Sequence, residues 1–175
     1  MTHVYNGMTG YHHRAPGLVG AAFRFCDVYG EVICDGYHCH PAALHTFFQA
    51  KGKYYGIMVS DSMRAKGCPP GEGYTLGGQP VCVDDGGFAR VRGTDTIAGS
   101  TLRLNEGLRI LVEEAMVPFD AAVNSCTVNP ARLLGLDRRK GKLAAGYDAD
   151  VTVLGDDYSV IRTYCKGKRA WDRAL

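Results

Sequence analysis

The chain has 175 residues, 46% of them hydrophobic and 22% charged, and carries a net charge of +2. That length can bury a sizeable core, and 20 basic against 18 acidic residues give no electrostatic reason to expect a nucleic acid or an anionic membrane as partner. No apolar run reaches the roughly 18 residues needed to cross a bilayer.

Residues 1–20 are rich in glycine and histidine and predict a site-lining loop, with a short helix from Leu18 to Phe25. Glu31 to Cys34 predicts a short buried strand. Pro41 fits the first position of a helix and Gly52 its far end. Ile57 to Ser60 predicts the next strand. Strand, helix, strand is a βαβ unit, so the two strands should run parallel.

Residues 62–80 are rich in Gly and Pro and predict a long loop. Val81–Val83 and Phe88–Val91 flank Asp84-Asp85-Gly86-Gly87, which is a hairpin signal. Leu104, Leu108, Leu111, Val112 and Ala115 recur at helical spacing and predict one helix from Leu102 to Met116. Asp120 caps a second helix to about Val128, and Asn129 and Pro130 read as cap and first position of a third, ended by Gly135. Val151–Leu154, Val160–Cys165 and a short run after Gly167 predict a β tail. The fold class is α/β: the C-terminal part of an incomplete (β/α)8 barrel over residues 1–140, and a small β unit over 141–175. Two or three barrel strands are expected, with none ahead of His3.

All the histidines lie in the first 45 residues: His3, His12, His13, His38, His40 and His45. Such clustering fits either a metal site or, for some members, ordinary surface histidine. No local metal motif decides between them. Asp61 closes the apolar run Ile57-Met58-Val59-Ser60. A carboxylate there favours proton transfer at a strand's carboxyl end over the alternatives of a helix cap or an ion pair with Arg64. Gly99-Ser100-Thr101, ahead of a helix, fits either anion binding or capping. Arg14 fits a phosphate fork or plain surface. The seven cysteines are odd in number and lack Cys-x-x-Cys spacing, which predicts free thiols in a reducing cytoplasm.

Several longer motifs occur in one order. They are Thr2-His3-Val4-Tyr5-Asn6-Gly7-Met8, Arg14-Ala15-Pro16-Gly17-Leu18, and Asp35-Gly36-Tyr37-His38-Cys39-His40-Pro41. Then come Val59-Ser60-Asp61-Ser62-Met63, Ala98-Gly99-Ser100-Thr101-Leu102, Asn129-Pro130-Ala131-Arg132, and a tail from Gly141 to Val151. Together they resemble the N-acetylglucosamine-6-phosphate deacetylases of the amidohydrolase superfamily, in their C-terminal half. The resemblance implies a cytoplasmic hydrolase that removes the acetyl group of an amino sugar phosphate with a divalent metal, zinc or iron. It implies His3 as a metal ligand and Asp61 as catalytic acid/base. It implies His38 near the acetamido group, Asn6, Gly7 and Arg14 at the phosphate, and Ile97, Ala98 and Gly99 lining the sugar. It also implies a homodimer across which Arg14 reaches.

The same resemblance implies that the early barrel strands, a ligand glutamate and a further ligand histidine are not among these residues. Three readings follow. The chain is part of a working deacetylase whose other half is elsewhere, or an inactive remnant that binds sugar phosphate, or a relative acting on another substrate such as N-acetylgalactosamine 6-phosphate.

Overall fold

The structure is a computed structural model and describes residues 1–173. Two parallel strands, β1 (Gly30–Ile33) and β2 (Gly56–Val59), pair in register from Gly30↔Gly56 to Ile33↔Val59. Val32, Ile33, Ile57 and Met58 are buried, as expected where helices cover a parallel sheet. The crossover between them is α2 (Pro41–Tyr55). His40 caps it by accepting from the Ala42 N–H through Nδ1 at 3.2 Å, and Pro41 takes the first turn. Gly52 breaks the helical path at φ 58°, so the sequence placed the end of the regular helix correctly, although helical bonding resumes as far as Tyr55. A preceding helix, α1 (Gly17–Arg24), packs against α2.

Glycine opens both strands for a packing reason. A Cβ on Gly30 would stand 2.9 Å from the Phe47 ring, and one on Gly56 would stand 2.7 Å from the Phe48 ring. The two rings meet edge to face at 5.2 Å and seat α2 on the sheet. The main core adds Val4, Leu44, Leu108 and Leu111.

The parallel arrangement extends past both strands. On one side Val4 N–H donates to the Glu31 carbonyl at 2.7 Å and Glu31 N–H donates to the Met1 carbonyl at 2.8 Å, so residues 1–4 run beside β1. On the other, Ser62 and Ser100 form a parallel bridge next to β2. Four segments thus lie in the order 1–4, β1, β2 and the stretch around Ser100. The sequence pattern does not mark this pairing, because the positive φ at His3 bends the segment.

Residues 62–80 are not wholly loop. They include β3 (Gly71–Leu76), which pairs antiparallel with β4 (Gln79–Val83), and β4 pairs with β5 (Ala89–Val91). This sheet covers a second small core of Met63, Ala65, Val81, Val83, Ala89 and Ala98. The predicted helix from Leu102 to Met116 is instead α3 (Leu104–Arg109) running into a π-helical turn, Ile110–Glu114, closed by Ala115 N–H to Ile110 O at 2.8 Å.

Helices α4 (Phe119–Cys126) and α5 (Val128–Leu133) follow. The caps are Pro118 and Thr127 rather than Asp120 and Asn129. Asn129 is buried inside α5, where its side-chain N–H groups donate to Lys53 O at 3.1 Å and Gly56 O at 2.9 Å. It thereby satisfies carbonyls at the α2–β2 junction. The tail sheet joins β6 (Val151–Leu154), β7 (Val160–Cys165) and β8 (Lys168–Asp172) antiparallel, and none of their residues is buried.

Candidate functional site

The carboxyl ends of the parallel segments carry the candidate residues. Asp61 follows β2 at φ 47°, an unusual backbone state for a non-glycine residue, and is exposed. The neighbouring segment holds it there. Ser100 N–H donates to the Asp61 carbonyl at 2.9 Å, Met63 N–H donates to the Ser100 carbonyl at 2.9 Å, and the buried Ser100 hydroxyl donates to the Ser60 carbonyl. Gly99 sits against the same backbone: a Cβ there would be 3.3 Å from the Asp61 carbonyl oxygen, at φ 63°. The expected capping role or Arg64 ion pair for Asp61 finds no bond among the described residues. The Gly99–Thr101 stretch does not open a helix directly, since α3 begins at Leu104.

His38 lies in the turn after β1. Its Nδ1 is 2.6 Å from Asp35 Oδ2, and the two side chains are only 6% and 9% exposed. The other oxygen, Oδ1, accepts from the Tyr37 N–H at 2.9 Å and the His38 N–H at 2.8 Å. Burial pushes the Asp35 carboxyl up, but the hydrogen bonds and charge of His38 and the Tyr37 N–H outweigh it and leave it below the usual aspartate value. Sequence reasoning passed over Asp35; the Asp-Gly-x-His spacing, which lets one carboxylate bond i+2 and i+3, is the signal that marks it.

His3 lies in the turn that follows residues 1–4. Its Nδ1 is buried and has no hydrogen-bond partner among the described residues. Asn6 reaches across to the His38 turn, its side chain contacting Cys39 Sγ at 3.8 Å. Burial, against that bond, pushes the Cys39 thiol up to about 11, which makes it no thiolate nucleophile. Burial, with Cys39 beside it, pushes the Tyr5 phenol up to about 12, and its hydroxyl donates to Ala43 O at 2.8 Å.

The loop between β4 and β5 overhangs this face. Tyr37 stacks on Phe88 with ring centroids 4.7 Å apart, and its hydroxyl donates to Gly86 O at 3.3 Å. The Thr101 hydroxyl donates to Gly87 O at 2.7 Å. Ala98 and Ile97 line the approach to Gly99, Ala98 buried under the sheet and Ile97 bridged to Arg90.

Other candidates stand apart. Arg14 is exposed, and its guanidinium contacts His13 Nε2 at 3.0 Å rather than any residue around Asp61. His12 and His13 stack in the same exposed loop, with rings 4.3 Å apart. His40 is the α2 cap, and His45 Nδ1 bonds the Ala115 carbonyl at 2.8 Å, so both are occupied by structure. The histidine cluster of the sequence does not become one cluster in space. Among the described residues no group of three or more His, Cys, Asp or Glu side chains forms a metal site. The orphaned Nδ1 of His3 suits a single metal bond, but a catalytic zinc takes about three protein ligands. The described residues therefore do not complete a metal centre.

An acid, an imidazole and turn-held glycines lie at the carboxyl ends of adjacent parallel strands, the end at which (β/α)-barrel enzymes place their catalytic groups. The sequence profile of the amidohydrolase family matches residues 2–170, and the chain belongs to that family of hydrolases. It is 41% identical over 171 residues to the N-acetylglucosamine-6-phosphate deacetylase of Bacillus subtilis, covering 98% of this chain and 42% of that protein. It is 38% identical over 168 residues to a putative N-acetylgalactosamine-6-phosphate deacetylase of Escherichia coli K12, covering 96% of this chain and 98% of that protein. A Mycobacterium smegmatis N-acetyl-D-glucosamine-6-phosphate deacetylase, an aspartate-to-alanine mutant in complex with N-acetyl-D-glucosamine-6-phosphate, superposes with a TM-score of 0.88 at 37% identity, over 96% of this chain and 44% of that one. The deacetylase of Thermotoga maritima gives 0.89 at 31% identity, over 99% and 47%. The chain thus shares the fold of these deacetylases while spanning less than half the length of most relatives named here.

Proposed function

We propose that these residues supply the proton-transfer carboxylate and the sugar-binding turns for hydrolysis of the acetamide of N-acetylglucosamine 6-phosphate. The observation that carries the reading is the placement of Asp61, held by Ser100 and Gly99, beside the strand that presents His38. Asp61 takes a proton from the attacking water and returns it to the amine nitrogen as the C–N bond breaks. His38 contacts the sugar near its acetamido group. Gly99, with Ile97 and Ala98, forms one wall. Asn6 and Gly7 hold the phosphate, and Arg14 reaches it from a second copy in a homodimer, in keeping with its outward position.

Residues 1–140 act as a barrel segment and 141–175 as a separate β segment, of which 174 and 175 lie outside the described residues. His3 would be one ligand of a divalent metal, zinc or iron, whose set the described residues do not complete. A cytoplasmic setting fits the seven free cysteines. Among the described residues no helix is long and apolar enough to cross a membrane. The match over 98% of the putative N-acetylgalactosamine-6-phosphate deacetylase of Escherichia coli K12 supports the galactosamine isomer as a second substrate reading.

The test is a chimera in which residues 2–170 replace the corresponding stretch of the Bacillus subtilis deacetylase. It should release acetate, and the ratio of rates on the two N-acetyl sugar phosphates decides the isomer. Asp61→Asn should remove turnover and leave substrate binding. Turnover retained in that variant overturns the proton-transfer role.

A further inference from the structure

The geometry points to Asp35 as a positioning residue that fixes the tautomer of His38, so that His38 accepts a hydrogen bond from a substrate O–H or N–H rather than donating one to a carbonyl oxygen. This rests on the proposed role of His38 as a substrate contact.

Three donors converge on one carboxylate. Oδ1 accepts from Tyr37 N–H at 2.9 Å and His38 N–H at 2.8 Å, while Oδ2 meets His38 Nδ1 at 2.6 Å. The turn depends on Gly36, whose φ of 77° lets the backbone fold back on Asp35. An ionised carboxylate only accepts, so Nδ1 carries the imidazole proton. In the neutral ring the lone pair then lies on Nε2. The bonds of His38 among the described residues are those to Asp35, which leaves Nε2 free for a ligand. With both side chains nearly enclosed, water does not compete freely for the pair. The net downward shift of Asp35 keeps it ionised at neutral pH.

Asp35→Asn has a definite expected consequence. The two backbone N–H groups now at Oδ1 select the amide oxygen, which turns the amide NH2 toward Nδ1. Two donors cannot face each other, so the imidazole proton moves from Nδ1 to Nε2 with no net proton gained or lost. Nε2 becomes a donor, the wrong partner for a substrate hydroxyl or amide N–H already pointing at it.

The experiment is nitrogen-15 NMR of the histidine rings in the purified chain, at a pH where the imidazole is neutral, with His38→Gln to assign the signals. The wild-type chain should show a protonated Nδ1 at His38, and Asp35→Asn a protonated Nε2, while the other histidine signals stay in place as a check on the fold. A protonated Nε2 in the wild type, or the same tautomer in both, overturns the inference. Titration with N-acetylglucosamine 6-phosphate separates this from the functional reading. A ligand shift at Nε2 in the wild type, weakened in Asp35→Asn, supports both. An inverted tautomer with no ligand shift in either protein leaves Asp35 in place and removes His38 from the sugar site. A ligand shift without inversion does the reverse.

Discussion

Ser100 and Asp61 are joined backbone to backbone: the Ser100 N–H donates to the Asp61 carbonyl at 2.9 Å, and the Ser100 hydroxyl, itself buried, donates one residue earlier to Ser60. The same hydroxyl accepts from Leu102 N–H at 3.1 Å. One side chain therefore sets both the end of β2 and the segment beside it, and so aims the carboxylate.

Removing that hydroxyl should be felt in two ways. Ser100→Ala leaves the Ser60 carbonyl and the Leu102 N–H without their partner, a cost of about 1–3 kcal/mol in unfolding free energy. In the chimeric enzyme it should lower kcat by up to about 100-fold through misplacement of Asp61. Denaturant unfolding and acetate release check the two halves, and an unchanged kcat would separate Ser100 from the aim of Asp61.

Gly99 tolerates no side chain on the same reasoning. Gly99→Ala places a Cβ 3.3 Å from the Asp61 carbonyl oxygen on a residue at φ 63°. Left-handed backbone costs a non-glycine residue about 1–2 kcal/mol. A lowered Tm with loss of activity is expected. A Tm equal to the wild type would show that the turn relaxes freely.

How much of this was legible in the sequence depends on where the determining forces act. The βαβ unit was legible because Pro41 and Gly52 act locally and the strands are continuous apolar runs. The third sheet strand was missed because Gly71–Leu76 has no buried face: its one half-buried residue is Tyr74, so no alternation marks it. The long helix was overextended because apolar spacing continues through Ile110–Glu114 while the backbone loosens to a π-turn. Asp61 stood out by closing an apolar run, His3 and His38 by lying in the histidine-rich first 45 residues, and Gly99 by its place ahead of a helix. Asp35 did not, because its worth lies in a turn geometry. Asn129 was misread as a cap because its partners, Lys53 and Gly56, are remote in sequence.

Asn129→Ala tests that last correction. It removes the donors to the buried Gly56 carbonyl and the partly buried Lys53 carbonyl at the α2–β2 junction. Destabilisation by about 1–3 kcal/mol is expected, without change at Asp61. A variant as stable as the wild type would show that these two bonds add nothing to the junction.

Acid should weaken the His38 turn. Asp35 titrates below its ordinary value of 3.8 in the folded chain, so the unfolded chain takes up that proton first. The pair's contribution is complete above that value and is lost as pH falls below it toward the folded pKa. Asp35→Asn should show a shallower loss of stability across this window. Identical slopes in the two proteins would mean that the carboxylate is not held by His38.

The most direct measurement is metal content together with acetate release from N-acetylglucosamine 6-phosphate, on the purified chain supplied with zinc or iron. With only His3 offering an unpartnered buried nitrogen among the described residues, neither stoichiometric metal nor acetate is expected. Stoichiometric metal with Asp61-dependent turnover would contradict the account, and would mean that these residues, alone or as an oligomer, assemble a complete centre.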